Sequence, residues 1–220
     1  HLKDFDINLR DLEDRWEKLI APLPKPHVGL AHSMGGQISL RAVQAHPEWL
    51  AGLAQCAPMH RLPIPAPLMA IAKTVSLFYH LLGKADSWNP LQGQAVRPGV
   101  AETNDVTNDF DRFRRTGTLY VSDPQLQVNG ASLGWFATAD KAMADTRRPA
   151  FLQSIATPLF IGSAEEEMLV DNKAHTHVLA HVQNGSGKLF KAGKHELMME
   201  KDAVREAFIA DVAAFFDRLN

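Results

Sequence analysis

The feature that most constrains this chain is a serine held between small residues where a strand gives way to a helix. His27-Val28-Gly29-Leu30-Ala31 reads as a short buried strand and Gln37 to Ala45 as a helix stopped before Pro47. His32-Ser33-Met34-Gly35-Gly36 joins them through a sharp turn. Such a turn exposes the hydroxyl above the end of a sheet, and small residues two before and two after the serine let the two backbones pass closely. Ala31 fills the first small position. Gly35 fills the second, where strand and helix are expected to crowd most. The backbone N–H of Met34, at the helix N-terminus, can donate to an oxyanion developing on a carbonyl that Ser33 attacks.

A nucleophilic serine needs a base. Of the ten histidines, His195 is placed for it, in Ala192-Gly193-Lys194-His195-Glu196-Leu197, a loop between the last expected strand and the last helix. His27, His46, His60 and His80 read as structural or surface residues, and His32 as lining the site. The acid that orients the base is expected just after the preceding strand, in Gly162-Ser163-Ala164-Glu165-Glu166-Glu167-Met168-Leu169-Val170-Asp171. Glu167 is the choice, because the chain turns back into apolar Met168-Leu169-Val170 there and can aim a carboxylate inward. Glu166 and Asp171 are the competing carboxylates, Asp171 being better suited to cap the following helix. The order serine, acid, histidine is the one that accompanies a nucleophilic serine on such a strand–turn–helix elbow.

Two weaker motifs favour bland readings. His175, His177 and His181 include a spacing that suits a metal, but they lie on a helix without a matching carboxylate motif and read as solvated surface residues. Asn184-Gly185-Ser186-Gly187-Lys188 follows a helix and precedes a strand, the reverse of a phosphate-binding loop, and reads as a turn.

Around these motifs the chain alternates as parallel βαβ units require. Apolar Leu9, Leu12, Trp16 and Leu19 mark a first helix with one face on a core, ended by Pro22, Pro24 and Pro26. Leu50 to Ala57 is the next strand. From Pro58 to Ile155 the alternation stops, and helices over Pro67–Leu82, Asp109–Arg115 and Trp135–Ala144 are separated by turns such as Asn89-Pro90 and Asn129-Gly130. Thr157 to Gly162 resumes the sheet, followed by a helix over Asn172–Val182, a strand over Lys188–Ala192 and a last helix carrying Val204, Phe208, Val212, Phe215 and Leu219 on one face. The reading is an α/β fold, a mostly parallel sheet flanked by helices, with residues 1–57 and 156–220 as core and 58–155 as an inserted helical cap.

Composition narrows the function by exclusion. A net charge of −2 with scattered basic residues gives no drive toward nucleic acid. The single cysteine, Cys56, can close no intramolecular disulfide. The apolar stretch Leu68–Leu82 contains Lys73 and His80 and falls short of the roughly 20 apolar residues of a spanning helix. It packs within the cap, receives an acyl chain or touches a membrane surface.

With these residues in place, the chain resembles the lysophospholipase branch of the α/β-hydrolases, near the monoacylglycerol lipases. Leu30-Ala31-His32-Ser33-Met34-Gly35-Gly36 is similar to that branch's nucleophile turn, Ala164-Glu165-Glu166-Glu167 to its acid turn, and Lys194-His195-Glu196-Leu197 to its histidine loop. Asp105-Val106-Thr107-Asn108-Asp109, then Arg112-Phe113-Arg114-Arg115, Ser122-Asp123-Pro124 and Gly134-Trp135, resemble the bacterial lysophospholipase cap. The resemblance implies a bacterial serine hydrolase, cytoplasmic or peripherally membrane-associated, with a single-chain acyl ester as substrate and no metal or organic cofactor. It also implies further N-terminal strands and a second oxyanion donor, expected from an upstream segment of the same protein. Alternatives are a monoacylglycerol lipase or general carboxylesterase, an acyl-transferring enzyme using the same triad, and a non-catalytic binding protein that keeps the fold.

Overall fold

A computed structural model describes residues 1–87, 104–126 and 130–219. The expected turn at Asn89-Pro90, and Asn129 of the second turn, lie outside these residues.

Among the described residues four short strands, β1 (Val28–His32), β2 (Gly52–Cys56), β3 (Leu159–Ala164) and β4 (Gly185–Phe190), form one parallel sheet in the order β1-β2-β3-β4. Between them run α2 (Met34–Ala45), α3 (Ala66–Leu81), α4 (Phe110–Ser122), α5 (Leu133–Thr146), α6 (Pro149–Gln153) and α7 (Asn172–His181); α1 (Ile7–Arg15) precedes β1 and α8 (Asp202–Asp217) closes the chain. The period-2 alternation of the strands sorts side chains to two faces. Leu53, Leu159 and Ile161 pack with Leu40 and Val43 of α2, Leu152 of α6 and Val178 of α7. Ala54, Cys56, Phe160 and Phe190 meet Phe208, Val212 and Phe215 of α8. Both faces of the inner strands β2 and β3 are covered, as a parallel sheet requires, whereas β1, expected as a buried strand, lies at the sheet edge and leaves Val28 and Leu30 exposed.

The long connection from β2 to β3 carries α3 to α6. Ala139, Ala142 and Met143 of α5 join the buried cluster with α8, and Leu152 of α6 joins the other. These two helices are therefore anchored in the core. By contrast α3 leaves Leu68, Ile71, Leu77, Phe78 and Leu81 more than half exposed.

Several sequence expectations are corrected. The first helix has no buried residue; it runs on through a π-helical turn, Trp16–Ile20. Its apolar Leu12 and Trp16 border a cavity of about 560 Å³ beside β1 instead of filling a core. The helix after Asp109 continues to Ser122, beyond Arg115, even though Thr116, Gly117 and Thr118 are weak helix formers. Gly185 to Lys188, expected as a turn, is the first part of β4. Glycine is required there by packing: a Cβ at Gly187 would stand 2.6 Å from Leu179 Cδ1 and 2.8 Å from the Ile161 carbonyl oxygen. His175, expected on the surface, is 2% exposed.

Candidate active site

The register pairs His32 with Cys56 and Cys56 with Gly162, so β1 and β2 end at one level and β3 runs two residues farther, to Ala164. Their C-terminal loops, with that of β4, open at the same end of the sheet, where open α/β sheets gather ligands. Ser33 follows β1 directly. Its backbone sits at φ 50° and ψ −118°, a left-handed conformation that costs a non-glycine residue of order 1–3 kcal/mol and persists only where its surroundings enforce it. The enforcing contacts are main-chain: Ser33 N–H donates to the Cys56 carbonyl at 3.1 Å, and the Ser33 carbonyl accepts from Met59 N–H at 2.8 Å.

The crowded position in this turn is Gly36, not Gly35. A Cβ at Gly36 would lie 2.5 Å from Pro58 Cβ, whereas one at Gly35 would lie 4.0 Å from the methyl of Ala31. The loop after β2, not the strand before the serine, is what presses on the helix start. Below it lies a buried polar network. Gln55 Nε2 donates to the Gly36 carbonyl at 2.7 Å, turning Oε1 toward His60 Nε2 at 2.9 Å. His175 Nε2 donates to the Pro58 carbonyl at 2.8 Å, leaving Nδ1 to accept from the Ser163 hydroxyl at 2.8 Å. Burial holds both His60 and His175 below the usual histidine range, so each is neutral in the fold.

Above the strand ends the structure brings Ser33, His195 and Glu167 into one hydrogen-bonded chain. His195 Nε2 is 2.9 Å from Ser33 Oγ, and Nδ1 is 2.9 and 3.1 Å from the two oxygens of Glu167. A carboxylate only accepts, so the hydrogen is on Nδ1 and Nε2 offers its lone pair to the serine hydroxyl. Side-chain exposures are 5% for His195 and 2% for Glu167. Burial pushes the Glu167 carboxyl up, but the His195 hydrogen bond and charge and the N–H groups of Leu169 (2.8 Å) and Val170 (3.2 Å) outweigh it. Its pKa is lowered, and it is ionised at neutral pH.

The competing carboxylates are occupied elsewhere. Glu166 accepts from Asn108 Nδ2 at 3.2 Å, Glu165 from Ala192 N–H at 3.0 Å, and Asp171 caps α7 by accepting from Lys173 N–H at 2.9 Å. Met34 opens α2, so its N–H precedes the first intrahelical acceptor and is available for a ligand. His32 sits beside His195: its Nε2 donates to the His195 carbonyl at 3.2 Å, and burial and the neighbouring His195 lower its pKa to about 4. The three helical histidines do not converge. His177 Nε2 donates to the Arg147 carbonyl at 2.9 Å and His181 Nδ1 to the His177 carbonyl at 2.8 Å.

Ser33 and His195 border a cavity of about 670 Å³ with apolar walls that include Met59, Leu68, Ile71, Trp135, Phe136 and Leu169. Cavities of about 560 and 1110 Å³ elsewhere reach none of the three residues. Chemistry, not size, locates the site. In the sequence Gln55 and Glu200 carry no sign of a place near the site, and His60 and His175 read only as structural or surface residues. Gln55 and Glu200 lie in no local motif, and only burial, 0% for both, marks them.

The chain is similar to several known proteins over most of its length. A family model described as serine aminopeptidase, S33, matches residues 1–202. Lysophospholipase L2 of Escherichia coli (strain K12) is 30% identical over 234 residues, covering 100% of this chain and 66% of that protein. The chain thus spans just under two thirds of that relative's length. A soluble variant of monoglyceride lipase from Saccharomyces cerevisiae, solved with a substrate analog, superposes with a TM-score of 0.70 at 19% identity, over 96% of this chain and 69% of that one. Monoacylglycerol lipase of Paleococcus ferrophilus gives 0.65 at 16% identity, over 94% and 73%. On its parallel sheet, its helices and its match to the family model, the chain belongs to the serine aminopeptidase S33 family and has the α/β-hydrolase fold.

Proposed function

We propose that Ser33, His195 and Glu167 are the catalytic triad of a hydrolase that cleaves the carboxylic ester of a single-acyl-chain lipid through an acyl-enzyme. The observation that carries this reading is the hydrogen-bonded chain from Glu167 through His195 to Ser33, with the 2.9 Å contact at the serine opening on an apolar cavity. Ser33 Oγ attacks the ester carbonyl while His195 Nε2 takes its proton. Glu167 fixes the tautomer of His195 and stabilises the imidazolium that forms. The Met34 N–H donates to the oxyanion. His195 then returns the proton to the leaving alcohol, and water, activated by the same nitrogen, releases the acid. No metal or organic cofactor enters these steps.

Residues 58–155 serve as a cap in this reading, anchored through α5 and α6, with α3 supplying the wall that receives the acyl chain. The outward face of α3, with Leu77, Phe78 and Leu81 more than half exposed, suits peripheral contact with a lipid surface. Among the described residues no helix is long and apolar enough to cross a membrane.

The test is a substrate panel on the purified protein: lysophosphatidylcholine, a monoacylglycerol and a short-chain aryl ester, with an added alcohol as competing acceptor. Release of free fatty acid from the single-chain lipids is expected. Capture of the acyl group by the alcohol in preference to water would make it an acyltransferase, and inertness toward all three would favour a binding protein.

A further inference from the structure

The segment from Asn104 to Asp109 lies across the loops that carry the base and the acid, and its contacts are polar and directional. Glu196 N–H, one residue after His195, donates to the Val106 carbonyl at 2.7 Å. Lys194 N–H, one residue before His195, donates to Glu200 Oε1 at 2.9 Å, and that same oxygen accepts from Asn108 N–H at 2.8 Å. Glu200 Oε2 accepts from Lys201 N–H at 3.1 Å, so this fully buried carboxylate is held by three main-chain donors. Thr107 Oγ1 donates to the Met199 carbonyl at 2.8 Å, and Lys194 Nζ to the Asn104 carbonyl at 2.7 Å. The side chain of Asn108 then bridges the two loops: Nδ2 donates to the Ala192 carbonyl at 3.1 Å on the base side and to Glu166 Oε2 at 3.2 Å on the acid side.

We propose that this segment is a strap that sets the register of the base loop against the acid turn, with Asn108 and Glu200 as positioning residues that act through His195 and Glu167. The inference rests on the triad reading above. Neither residue touches Ser33, yet both neighbours of His195 are tethered by the strap or by the carboxylate that holds it. The acid turn and base loop are already joined by Glu166 N–H donating to the Gly193 carbonyl at 2.9 Å. Among the described residues, Asn108 adds a side-chain donor that reaches both. The strap runs straight into α4 through Asp109, whose carboxylate caps that helix and pairs with Arg112. Arg112 in turn bonds the Glu200 carbonyl and Asp202. Displacement of α4 would therefore be felt at His195 without passing through the sheet.

The experiment compares second-order rates of Ser33 labelling by a fluorophosphonate, along with kcat and KM, in the parent, Asn108→Asp, Asn108→Ala and Asn108→Asp combined with Glu166→Gln. Misplacing a reacting group by about 1 Å costs on the order of a hundredfold. Asn108→Asp, which sets a carboxylate against Glu166 and the Ala192 carbonyl, should slow labelling by about that much and lower kcat with KM little changed. Asn108→Ala, which only deletes the donors, should lose less. Glu166→Gln added to Asn108→Asp reverses donor and acceptor across the bridge and should recover part of the loss. Because Asn108 is half-buried, thermal unfolding checks that each variant folds. A parent that does not label overturns the triad reading itself. A parent that labels while folded Asn108→Asp labels at the same rate overturns the strap, and so does a loss confined to KM or one that the added Glu166→Gln does not relieve.

Discussion

Replacing Glu167 by glutamine changes one oxygen to an NH2 group and almost nothing in volume, so its effect follows from hydrogen-bond bookkeeping alone. Oε1 accepts from Leu169 N–H at 2.8 Å and Val170 N–H at 3.2 Å as well as lying 3.1 Å from His195 Nδ1; Oε2 lies 2.9 Å from the same nitrogen. A glutamine has one carbonyl oxygen to place. Put toward Nδ1, it leaves the amide hydrogens facing the N–H groups of Leu169 and Val170, of which Val170 is buried, and a buried donor left unsatisfied costs about 1–3 kcal/mol. Put toward Leu169 and Val170, it turns the NH2 onto His195 Nδ1, and the imidazole must then carry its hydrogen on Nε2. That hydrogen points at Ser33 Oγ, and the base can no longer take the serine proton. The second orientation is favoured, so Glu167→Gln should lower kcat by on the order of 10⁴, or about 5 kcal/mol in the barrier, with KM little altered. Steady-state hydrolysis of a soluble aryl ester measures it. Glu166→Gln still offers Asn108 a carbonyl oxygen and should cost less than about tenfold. Equal losses at positions 166 and 167, or a loss at 167 of less than about tenfold, would refute the assignment of the acid.

Gly36→Ala should destabilise the fold by about 1–3 kcal/mol, the usual range for overpacking, and should also lower kcat, because Pro58 precedes the Met59 N–H that holds the Ser33 carbonyl; Gly35→Ala, with 4.0 Å of room, should do neither. Denaturant titration beside activity separates the two, and reversal of the order would show that the loop after β2 is wrongly placed. Acid should weaken the fold through its buried histidines. His32 takes up a proton only near pH 4 when folded but near 6.5 when unfolded, so the unfolded chain binds more protons between those values and stability falls as pH drops through them, by about 3 kcal/mol from this residue alone. His60 and His175, lowered likewise by burial, act in the same direction. Glu167, whose pKa is lowered, adds stability above the ordinary carboxyl range that is lost as pH falls through its folded value. Unfolding free energies measured across that window should slope downward toward acid and slope less in His32→Gln; a flat profile would contradict the neutral, buried state of these rings. Replacing Leu77, Phe78 and Leu81 of α3 by serine should reduce sedimentation with lipid vesicles while leaving hydrolysis of a soluble ester intact, and unchanged vesicle binding would remove α3 as the contact.

The parts of the site that are legible in sequence are those fixed by local backbone chemistry. Ser33 needs small residues at set distances along the chain, Glu167 lies where an acidic turn meets apolar residues, and His195 sits in a loop at a strand end. Each signal is contained within a few residues. What distant contacts decide was not legible. Nothing near Gly36 announces Pro58, a residue of another loop, so the crowded glycine was placed one position early. Gly185 and Gly187 carry turn propensity, and only the packing of Val182 and Leu179 against them makes a strand the better use. The run Asp105 to Asp109 reads in sequence only as similar to a cap motif, and the strap proposed for it depends on Glu200, nearly a hundred residues away in a stretch with no motif. His175 looked like one of three surface histidines because its partners, Ser163 and the Pro58 carbonyl, come from elsewhere in the chain.

Covalent labelling reads directly whether Ser33 is an activated nucleophile. Among the serines of this chain, Ser33 alone is assigned both a strained, outward-held backbone and a histidine nitrogen at 2.9 Å from its oxygen with a carboxylate behind it. Incubation with a fluorophosphonate followed by peptide mass spectrometry should find one modified serine, Ser33, at near-complete occupancy in the parent, with modification absent in Ser33→Ala and strongly slowed in His195→Ala. Modification of a different serine, or of Ser33→Ala as strongly as of the parent, would contradict the account.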